Sequence, residues 1–259
     1  MKFLHISDLH YLIDYEGKGG RYNKVIRSME DPFKQLAGLL DGYEGNFDFV
    51  IVSGDICEYG EVEDYLAVRK KLEEIFNCPV LTGSGNHDNR DKLMTAFDKV
   101  SEKGELFEVY RFNDLRVIMF DSSDPDHNDG LISETTCDLL QEALKDKSIP
   151  AILVTHHHLL ADQFVMDRAE YPERLRKIIR EGNVVAVLTG HTHHIYHGEF
   201  EGKQYHTTGS LSFVGESDDK KLSFYQYPSA LVFEYEDGVL KYQELLSRKR
   251  INNLDCWDL

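Results

Sequence analysis

The stretch Gly83-Ser84-Gly85-Asn86-His87-Asp88 combines two glycines with three polar side chains in a row. It follows a short apolar run, Pro79 to Leu81, and precedes a polar segment, so we predict a loop that leaves the end of a strand. Its glycines allow the backbone to approach a ligand closely. Asn86, His87 and Asp88 then offer an amide oxygen, an imidazole and a carboxylate, which are groups that bind metal ions and transfer protons. Alone, such a Gly/Asn/Asp loop is more often a plain turn.

Polar side chains follow four further predicted strands, each at the point where the strand ends. They are Asp8 and His10 after Phe3 to Ser7, Asp55 after Phe47 to Val52, His156 after Ala151 to Thr155, and His191 and His193 after Val184 to Thr189. In open α/β sheets, ligands bind at the carboxyl ends of the strands, so we expect these side chains at one edge. A lone histidine at a strand end is more often structural, but that explanation would have to hold independently at each place.

The donor set predicts a site for two metal ions. Carboxylate oxygen and imidazole nitrogen suit Mn, Fe, Zn, Ni or Co, and no cysteine thiolate is among the candidates. The candidate ligands are Asp8, His10, Asp55, Asn86, His156, His191 and His193. They are too many for one ion, and Asp55, in the middle, is placed to bridge two. Two ions about 3.5–4 Å apart clamp the attacking and leaving oxygens of a phosphoryl centre.

The order of predicted elements indicates one layered α/β domain. Strands alternate with helices in the first two-thirds of the chain, and hairpins dominate the last third, which fits mixed sheets. We assign residues 1–246 to this domain and residues 247–259 to a C-terminal tail that is expected to be a loose end. Residues 11–30 and 210–228 are predicted to be long loops.

Composition limits the partners and the compartment. The 259 residues include 46 acidic and 29 basic side chains, and the net charge of −17 repels nucleic acid and anionic membranes. A phosphate-bearing substrate would therefore need local positive charge, such as bound metal ions. No apolar run approaches the ~20 residues that span a bilayer, and no signal peptide is visible at Met1-Lys2-Phe3-Leu4-His5. With four scattered cysteines, a reduced, cytoplasmic setting is expected.

As an ordered set, the motifs resemble those of the calcineurin-like metallophosphoesterase superfamily. The motifs are Asp8-x-His10, Gly54-Asp55, Gly85-Asn86-His87-Asp88, His156 and Gly190-His191-x-His193. The resemblance implies a four-layer αββα sandwich with two mixed β-sheets and a dinuclear metal site at the carboxyl edge of the strands. It assigns Asp8, His10, Asp55 and His193 to one ion, and Asp55, Asn86, His156 and His191 to the other. His87 is similar to the family's substrate-facing histidine, and Asp88 to the acidic residue that follows it.

Within the superfamily, the sequence looks most similar to the bacterial class III cyclic-nucleotide phosphodiesterases. The size, the opening FLHISDLH and the TTGS at Thr207 to Ser210 carry this narrower resemblance. That branch usually follows its histidine pair with proline, whereas this chain has His156-His157-His158-Leu159-Leu160. The loop borders the expected substrate pocket, so the identity of the substrate stays open.

The expected activity is two-metal-dependent hydrolysis of a phosphate ester. The cofactors would be two transition-metal ions, with Mn, Fe or Zn preferred, and the substrate a small phosphodiester such as a cyclic nucleotide. A metal-bridging hydroxide would attack phosphorus while His87 protonates the leaving alkoxide as general acid. Asp88 would orient neighbouring groups.

Two alternatives remain at this point. A phosphomonoesterase, including a protein phosphatase, would recruit an arginine to the extra charge of a monoester, and Arg21, Arg90 and Arg168 all flank motifs. A metal-free binding scaffold of the same fold would be expected to lose ligands, but every expected position is filled. A nuclease is disfavoured by the net charge of −17 and the lack of a basic stripe.

Further histidines lie outside these roles. They are His5, His127, His157, His158, His194, His197 and His206. We expect them to be structural, and His157 and His158 are also placed where they could contact substrate.

Overall fold

The chain is arranged in four layers, with two β-sheets packed face to face between two layers of helices. The computed structural model describes residues 1–259 except 19, 125, 162, 164, 165, 219, 249 and 259, and describes the backbone alone at 251–253. The α/β class, the four layers and the two mixed sheets are therefore confirmed.

The bounds of the regular elements are as follows. The helices are α1 (Asn23–Ser28), α2 (Pro32–Leu40), α3 (Val62–Ile75), α4 (Arg90–Ala96), α5 (Glu134–Ala143) and α6 (Arg174–Glu181). The strands are β1 (Lys2–Ile6), β2 (Phe49–Val52), β3 (Val80–Thr82), β4 (Phe107–Arg111), β5 (Arg116–Phe120), β6 (Ala151–Val154), β7 (Val184–Thr189), β8 (Tyr196–Phe200), β9 (Lys203–Thr207), β10 (Val214–Ser217), β11 (Lys221–Gln226), β12 (Ser229–Glu236), β13 (Val239–Leu246) and β14 (Ile251–Asp258).

The two large sheets combine parallel and antiparallel pairs. The first sheet has the order β13-β12-β1-β2-β3, in which β1, β2 and β3 run parallel. The second has the order β4-β5-β6-β7-β9-β8, in which β5, β6, β7 and β9 run parallel. Parallel strands covered on both faces need continuous apolar sequence, and every residue of Phe49–Val52 and Ala151–Val154 is buried. The parallel strands carry their carboxyl ends to a common edge.

Aromatic and β-branched side chains fill the space between the two sheets. Phe3 stacks on Phe49, with ring centroids 4.7 Å apart, and on Phe233, at 5.0 Å. Residues of α2, α3 and α4 pack against the outer face of the first sheet. Those of α5 and α6 pack against the outer face of the second. Each sheet is therefore covered on both faces. The carboxyl ends of the parallel strands of both sheets lie at one shared edge.

Three segments that were predicted to be irregular contain regular structure. Residues 210–228 hold β10 and β11, residues 11–30 hold a 3₁₀ turn (Gly20–Tyr22) and α1, and residues 251–258 form β14. These strands make a third sheet in the order β10-β11-β14. The expectation of a loose C-terminal end is thus wrong for β14, whereas positions 249 and 259 of the predicted tail lie outside the described residues.

A small apolar cluster holds the third sheet in place. It comprises Leu12, Val25, Ile26, Phe213, Phe224 and Leu254, with Tyr15, Tyr22, Met29, Leu222 and Trp257 packed around it. We call this cluster, together with the third sheet and α1, the cap. In the part of the chain that the structure describes, no helix is long and apolar enough to cross a membrane.

Candidate metal centre

The candidate ligands meet at the carboxyl edge of the two large sheets. The first sheet supplies Asp8, His10, Asp55 and Asn86 from the loops after β1, β2 and β3, and the second supplies His156, His191 and His193 after β6 and β7. The ligating atoms of Asp8, His10, Asp55 and His193 lie within 4.8 Å of one another. A second group at the same spacing comprises His156, His157 and His191.

Asp55 lies between these two groups. Its Oδ2 atom is 3.5 Å from His10 Nε2 and 3.4 Å from His156 Nε2. His10 Nε2 is in turn 3.3 Å from His193 Nε2, and that nitrogen is 3.2 Å from Asp8 Oδ1. One carboxylate therefore reaches both groups, as the sequence predicted for a bridging ligand.

Most of these residues have a left-handed backbone. Non-glycine residues seldom adopt positive φ, and they do so where the surrounding structure enforces it, at a cost of about 1–3 kcal/mol each. The φ angles are 55° at Asp8, 47° at His10, 47° at Asp55, 72° at His191 and 61° at His193. Such strain at the strand ends is characteristic of functional sites rather than of plain turns.

Motif glycines leave the room that these side chains need. A Cβ atom on Gly85 would lie 2.2 Å from Asp55 Oδ1, and one on Gly54 would lie 2.6 Å from His156 Nδ1. The Asp55 carboxylate uses this space to accept the His87 backbone N–H at 2.8 Å. The loops after β2 and β3 consequently touch at the site.

Buried polar atoms without hydrogen bonds test whether the residues suit metal ions. Among the described residues, such atoms are Asn86 Oδ1, His191 Nε2, Asp8 Oδ1 and His156 Nε2, of which the last two contact other candidate ligands, His193 and Asp55, without forming a hydrogen bond. An unsatisfied buried polar atom costs about 1–3 kcal/mol, so a native structure retains several together only where another partner binds them. These atoms are the ones through which the predicted ligands would bind, and the donor set fits transition-metal ions.

The opposite ring nitrogens of three histidines are already held. His193 Nδ1 contacts the Phe213 carbonyl at 2.5 Å, His156 Nδ1 contacts the Ser53 carbonyl at 3.1 Å, and His10 Nδ1 contacts Glu58 Oε2 at 2.6 Å. Each contact needs the proton on Nδ1, which leaves the Nε2 lone pair for a metal ion. Metal-binding histidines are commonly oriented in this way.

Glu58 is a functional residue that the sequence motifs missed. Its side chain is fully buried, and Oε2 lies 2.6 Å from His10 Nδ1 and 2.9 Å from His87 Nδ1. Burial disfavours its charge, but the two histidines outweigh burial and lower the pKa of Glu58 to about 2. The only sequence signal was an acidic residue three positions downstream of Asp55, in the same loop.

His87 and Asp88 differ in their surroundings. The His87 side chain is 14% exposed and lies at the mouth of the site, with the Tyr59 ring 5.1 Å away and the Tyr22 ring 5.9 Å away. The Asp88 carboxylate instead accepts backbone N–H groups from Ile56, Cys57 and Gly85 at 3.1, 2.9 and 2.9 Å. It therefore ties the loop after β2 to the loop that carries Asn86, which agrees with an orienting role.

Electrostatics keep the central carboxylates ionised. Burial raises the pKa of Asp55, but the charges of His156 and His87 outweigh it and hold that pKa well below its usual value. The same balance, with His193 as the main partner, lowers the pKa of Asp8. Ionised carboxylates among imidazoles are suited to binding cations.

The site opens into a pocket of about 400 Å³. His10, Asp55, Asn86 and His191 line its base, and Tyr22, Phe213 and Phe224 of the cap line one wall together with Arg21. The Arg21 guanidinium lies 4.3 Å from the centroid of the Trp257 ring, so β14 supports this wall.

The other arginines that flank motifs have different partners. Arg90 pairs with Asp121 at 3.1 Å, and Arg168 lies 4.4 Å from the Tyr171 ring. Among the three arginines that the sequence singled out, Arg21 is therefore the one that lines the pocket.

Two sheets between helices, with a His/Asp cluster at the strand ends, define a metallophosphoesterase. The profile of the calcineurin-like phosphoesterase family matches residues 1–194, and the chain belongs to this family. A protein named "Probable cyclic nucleotide phosphodiesterase" from Synechococcus is 28% identical over 200 residues, 76% of this chain and 74% of that protein. A cAMP/cGMP dual specificity phosphodiesterase from Mycobacterium tuberculosis is 27% identical over 207 residues, 77% of this chain and 64% of that protein.

The fold is likewise shared with solved structures. A dimetal phosphatase from Danio rerio superposes with a TM-score of 0.59 at 11% identity, covering 95% of this chain and 99% of that one. The predicted family, the fold and the class of enzyme, a metal-dependent phosphoric ester hydrolase, are thus confirmed.

Proposed function

We propose that the chain hydrolyses a phosphodiester of a small molecule, with cyclic nucleotides as the preferred class. The observation that carries this proposal is the position of His87, which lines the same pocket as Asp55 and Asn86. The names of the two curated relatives support the substrate class. The rings of Tyr22 and Tyr59 beside His87 also offer flat apolar surface to a nucleobase.

The proposal assigns the ligands as the resemblance implied. Asp8, His10, Asp55 and His193 would hold one transition-metal ion, and Asp55, Asn86, His156 and His191 the other. Bound there, the two ions supply Lewis acidity at the phosphoryl group and activate water. The measured contacts of Asp55 with both histidine groups support its bridging position.

The proton that the leaving oxygen needs is assigned to His87. Glu58 lies against His87 Nδ1, so the ring turns its other nitrogen away from Glu58 and toward the pocket that it lines. An acid at this position protonates the alkoxide as its bond to phosphorus breaks. Glu58 stabilises the protonated ring, and Asp88 fixes the loop on which His87 lies.

A substrate panel tests the proposed class. The protein would be supplied with Mn²⁺ and assayed at equal concentrations with a 3′,5′-cyclic nucleotide, a linear alkyl phosphodiester and an alkyl phosphomonoester. We expect the highest kcat/KM for the diesters, and among them for the cyclic nucleotide. Faster hydrolysis of the monoester would overturn the proposal. Purified protein without metal and without turnover in added Mn²⁺ would favour the binding scaffold.

A variant tests the acid itself. His87→Ala should retain its metal ions and lose about 10²–10⁴-fold in rate with alkyl diesters. A p-nitrophenyl diester, whose leaving group needs no proton, should lose much less and serves as the matched control. Unchanged turnover of the alkyl diester would show that His87 is not the acid.

Phosphomonoester hydrolysis is the second candidate, because Arg21 lines the pocket. Among the described residues, Arg21 has no ion-pair partner and lies over the Trp257 ring. A guanidinium in that position suits the second negative charge of a monoester. The panel above separates the two candidates directly.

A further inference from the structure

His157 belongs to the buried histidine group on the second sheet, although no motif includes it. Its side chain is fully buried. Its ring centroid lies 4.5 Å from that of His191 and 4.8 Å from that of His156. The ligating nitrogens of the three rings lie within 4.8 Å of one another. Three imidazoles therefore converge where the sequence had predicted two.

Of the two ring nitrogens of His157, Nδ1 has a hydrogen-bond partner, and Nε2 has none among the described residues. Nδ1 lies 2.8 Å from Ser122 Oγ, and the same hydroxyl oxygen accepts the backbone N–H of His157 at 3.1 Å. Nε2, on the far side of the ring, is buried and has no hydrogen bond to any residue that the structure describes. A histidine that served only the core would be expected to have both nitrogens satisfied. The unpaired Nε2 has the same character as the Nε2 atoms of His156 and His191.

The ring also has a dedicated space. Gly130 has a φ of +92°, and a Cβ atom there would lie 2.4 Å from His157 Cγ and 2.6 Å from Nδ1. Only glycine fits that backbone conformation and that distance without moving the ring. Two segments, carrying Ser122 and Gly130, therefore hold the Nδ1 side of the His157 ring.

We propose that His157 is a further ligand of the metal ion that His156 and His191 hold. The inference rests on the two-ion site proposed above. It makes the two ions unequal, because one would have three imidazoles with Asn86 and the bridging Asp55, while the other would have two imidazoles with Asp8 and the bridging Asp55. Imidazole nitrogen favours Zn²⁺ or Fe²⁺ over Mn²⁺ or Mg²⁺. The nitrogen-rich site should therefore select Zn²⁺ from a mixture with Mn²⁺.

Metal binding, measured apart from activity, tests this ligand. Metal-free protein would be titrated with Zn²⁺ against a chromophoric chelator, and the bound metal would be counted by mass spectrometry after desalting. Wild type should bind two ions. His157→Ala should keep one ion and lose about 10–100-fold in affinity for the second, the ion proposed to be held by His156 and His191, a loss of the size seen when groups around a metal are removed.

His158→Ala is the matched control. His158 is the next residue along the chain and is equally buried, but it contacts the Met166 carbonyl through Nε2 at 3.3 Å. We expect this variant to bind both ions with wild-type affinity. Ser122→Ala gives an independent reading if His157→Ala does not fold, because it leaves the imidazole in place and removes its orientation. It should weaken the second ion by a smaller factor.

Each outcome separates this inference from the proposed function. Two ions bound with wild-type affinity in His157→Ala would overturn the inference, as would a loss of the same size in His158→Ala. Where His157→Ala fails to fold, unchanged binding in Ser122→Ala would overturn it instead. Wild-type protein that binds two ions but hydrolyses no phosphodiester would refute the function and leave the ligand standing. If the wild type is active and His157→Ala binds both ions with wild-type affinity, the ligand assignment is refuted and the proposed function stands.

Discussion

Glu58 illustrates how one carboxylate oxygen can place two histidines. Its Oε2 atom contacts Nδ1 of both His10 and His87, and the side chain is fully buried. His10 is a candidate metal ligand and His87 the candidate acid, so the two groups cannot turn independently. The Glu58 carboxylate thus connects a candidate metal ligand with the residue proposed to protonate the leaving group.

Replacing Glu58 by glutamine should weaken the coupling between His10 and His87. Glu58→Gln keeps the size and can keep one oxygen facing both imidazole N–H groups, but it removes the negative charge that holds them and stabilises a protonated His87. We expect metal affinity or kcat/KM to fall about 10–100-fold, as for other groups that orient metal ligands. The measurements are steady-state kinetics and metal content on the same preparation.

Asp64→Asn is the control for a buried carboxylate elsewhere. Asp64 accepts the Glu61 N–H at 2.8 Å and caps α3, away from the proposed ligands. Its loss should lower the free energy of unfolding by about 1 kcal/mol without changing kcat. If Glu58→Gln retained the wild-type rate and metal content, the coupling role would be refuted.

The sequence predicted where the candidate ligands lie better than it predicted what supports them. Asp8, Asp55 and His156 were placed correctly at one edge because parallel strands deliver their carboxyl ends together. Glu58 and His157 were not assigned, because their roles depend on contacts with distant segments. Glu58 contacts a histidine 48 positions earlier, and a serine 35 positions earlier orients His157.

At the scale of elements, the loops after β2 and β3 are fitted to each other. A methyl group on Gly85 would lie 2.2 Å from Asp55 Oδ1 and 2.5 Å from the Asp55 backbone nitrogen. One of these atoms belongs to the backbone, so a side chain at position 85 would force Asp55 and the loop after β2 to shift. The conformation of each loop therefore depends on the position of the other.

Gly85→Ala should displace Asp55 and disrupt the metal centre. We expect loss of at least one bound ion and a loss of about 1–3 kcal/mol in the free energy of unfolding from overpacking. Metal counting and urea denaturation of the metal-free protein would measure the two effects separately. Gly38→Ala, on α2 with nothing within 4 Å of the added carbon, is the matched control.

The control should behave in the opposite sense. Alanine in a helix is favoured over glycine by about 1 kcal/mol, so Gly38→Ala should be slightly more stable and bind metal normally. Wild-type metal binding by Gly85→Ala would show that Asp55 does not depend on the facing loop.

The elements that sequence patterns missed are those with few apolar residues. β14 contributes Leu254 and Trp257 to the cap, and β10 contributes Val214 with a glycine beside it. Such strands lack the continuous apolar run that identified β2 and β6. They are held by pairing with β11 and by a small cluster, neither of which is visible in local periodicity.

At the scale of the whole molecule, His206 lies where the two large sheets meet. It belongs to β9 and is 3% exposed, and its ring centroid is 5.2 Å from that of Phe233 in β12. Burial, together with the charge of His197, lowers the pKa of His206 from 6.5 to about 4. The folded protein therefore keeps this imidazole neutral where the unfolded chain protonates it.

This difference predicts how stability depends on pH. Below pH 6.5 the unfolded chain binds a proton at His206 that the folded protein does not bind. The free energy of unfolding therefore decreases as the pH is lowered, down to about pH 4. Between pH 7 and pH 5 the loss from this residue should be roughly 2 kcal/mol. In urea denaturation of the metal-free protein, His206→Gln should lose correspondingly less over that range. An identical pH dependence in both proteins would contradict the prediction.

From the contacts of the cap, we predict that substrate selectivity depends on β14. Trp257 supports Arg21 at 4.3 Å and contacts the Tyr22 ring at 5.2 Å. Trp257→Ala should raise KM about tenfold, by about 1.4 kcal/mol of binding free energy, while the metal content stays the same. Cys256→Ala, at an exposed neighbour on the same strand, should change neither quantity. Unchanged KM for every substrate of the panel would refute a role for β14 at the site.

The position of the cap in the chain also sets the order in which the site is completed during translation. All of the proposed ligands, His157 included, leave the ribosome before Phe213, Phe224 and Trp257, which wall the pocket or support its wall. The nascent chain thus presents the ligand loops while that wall is still being synthesised. β14 is made after all of the proposed ligands, and it completes the wall around a centre whose ligands are already present.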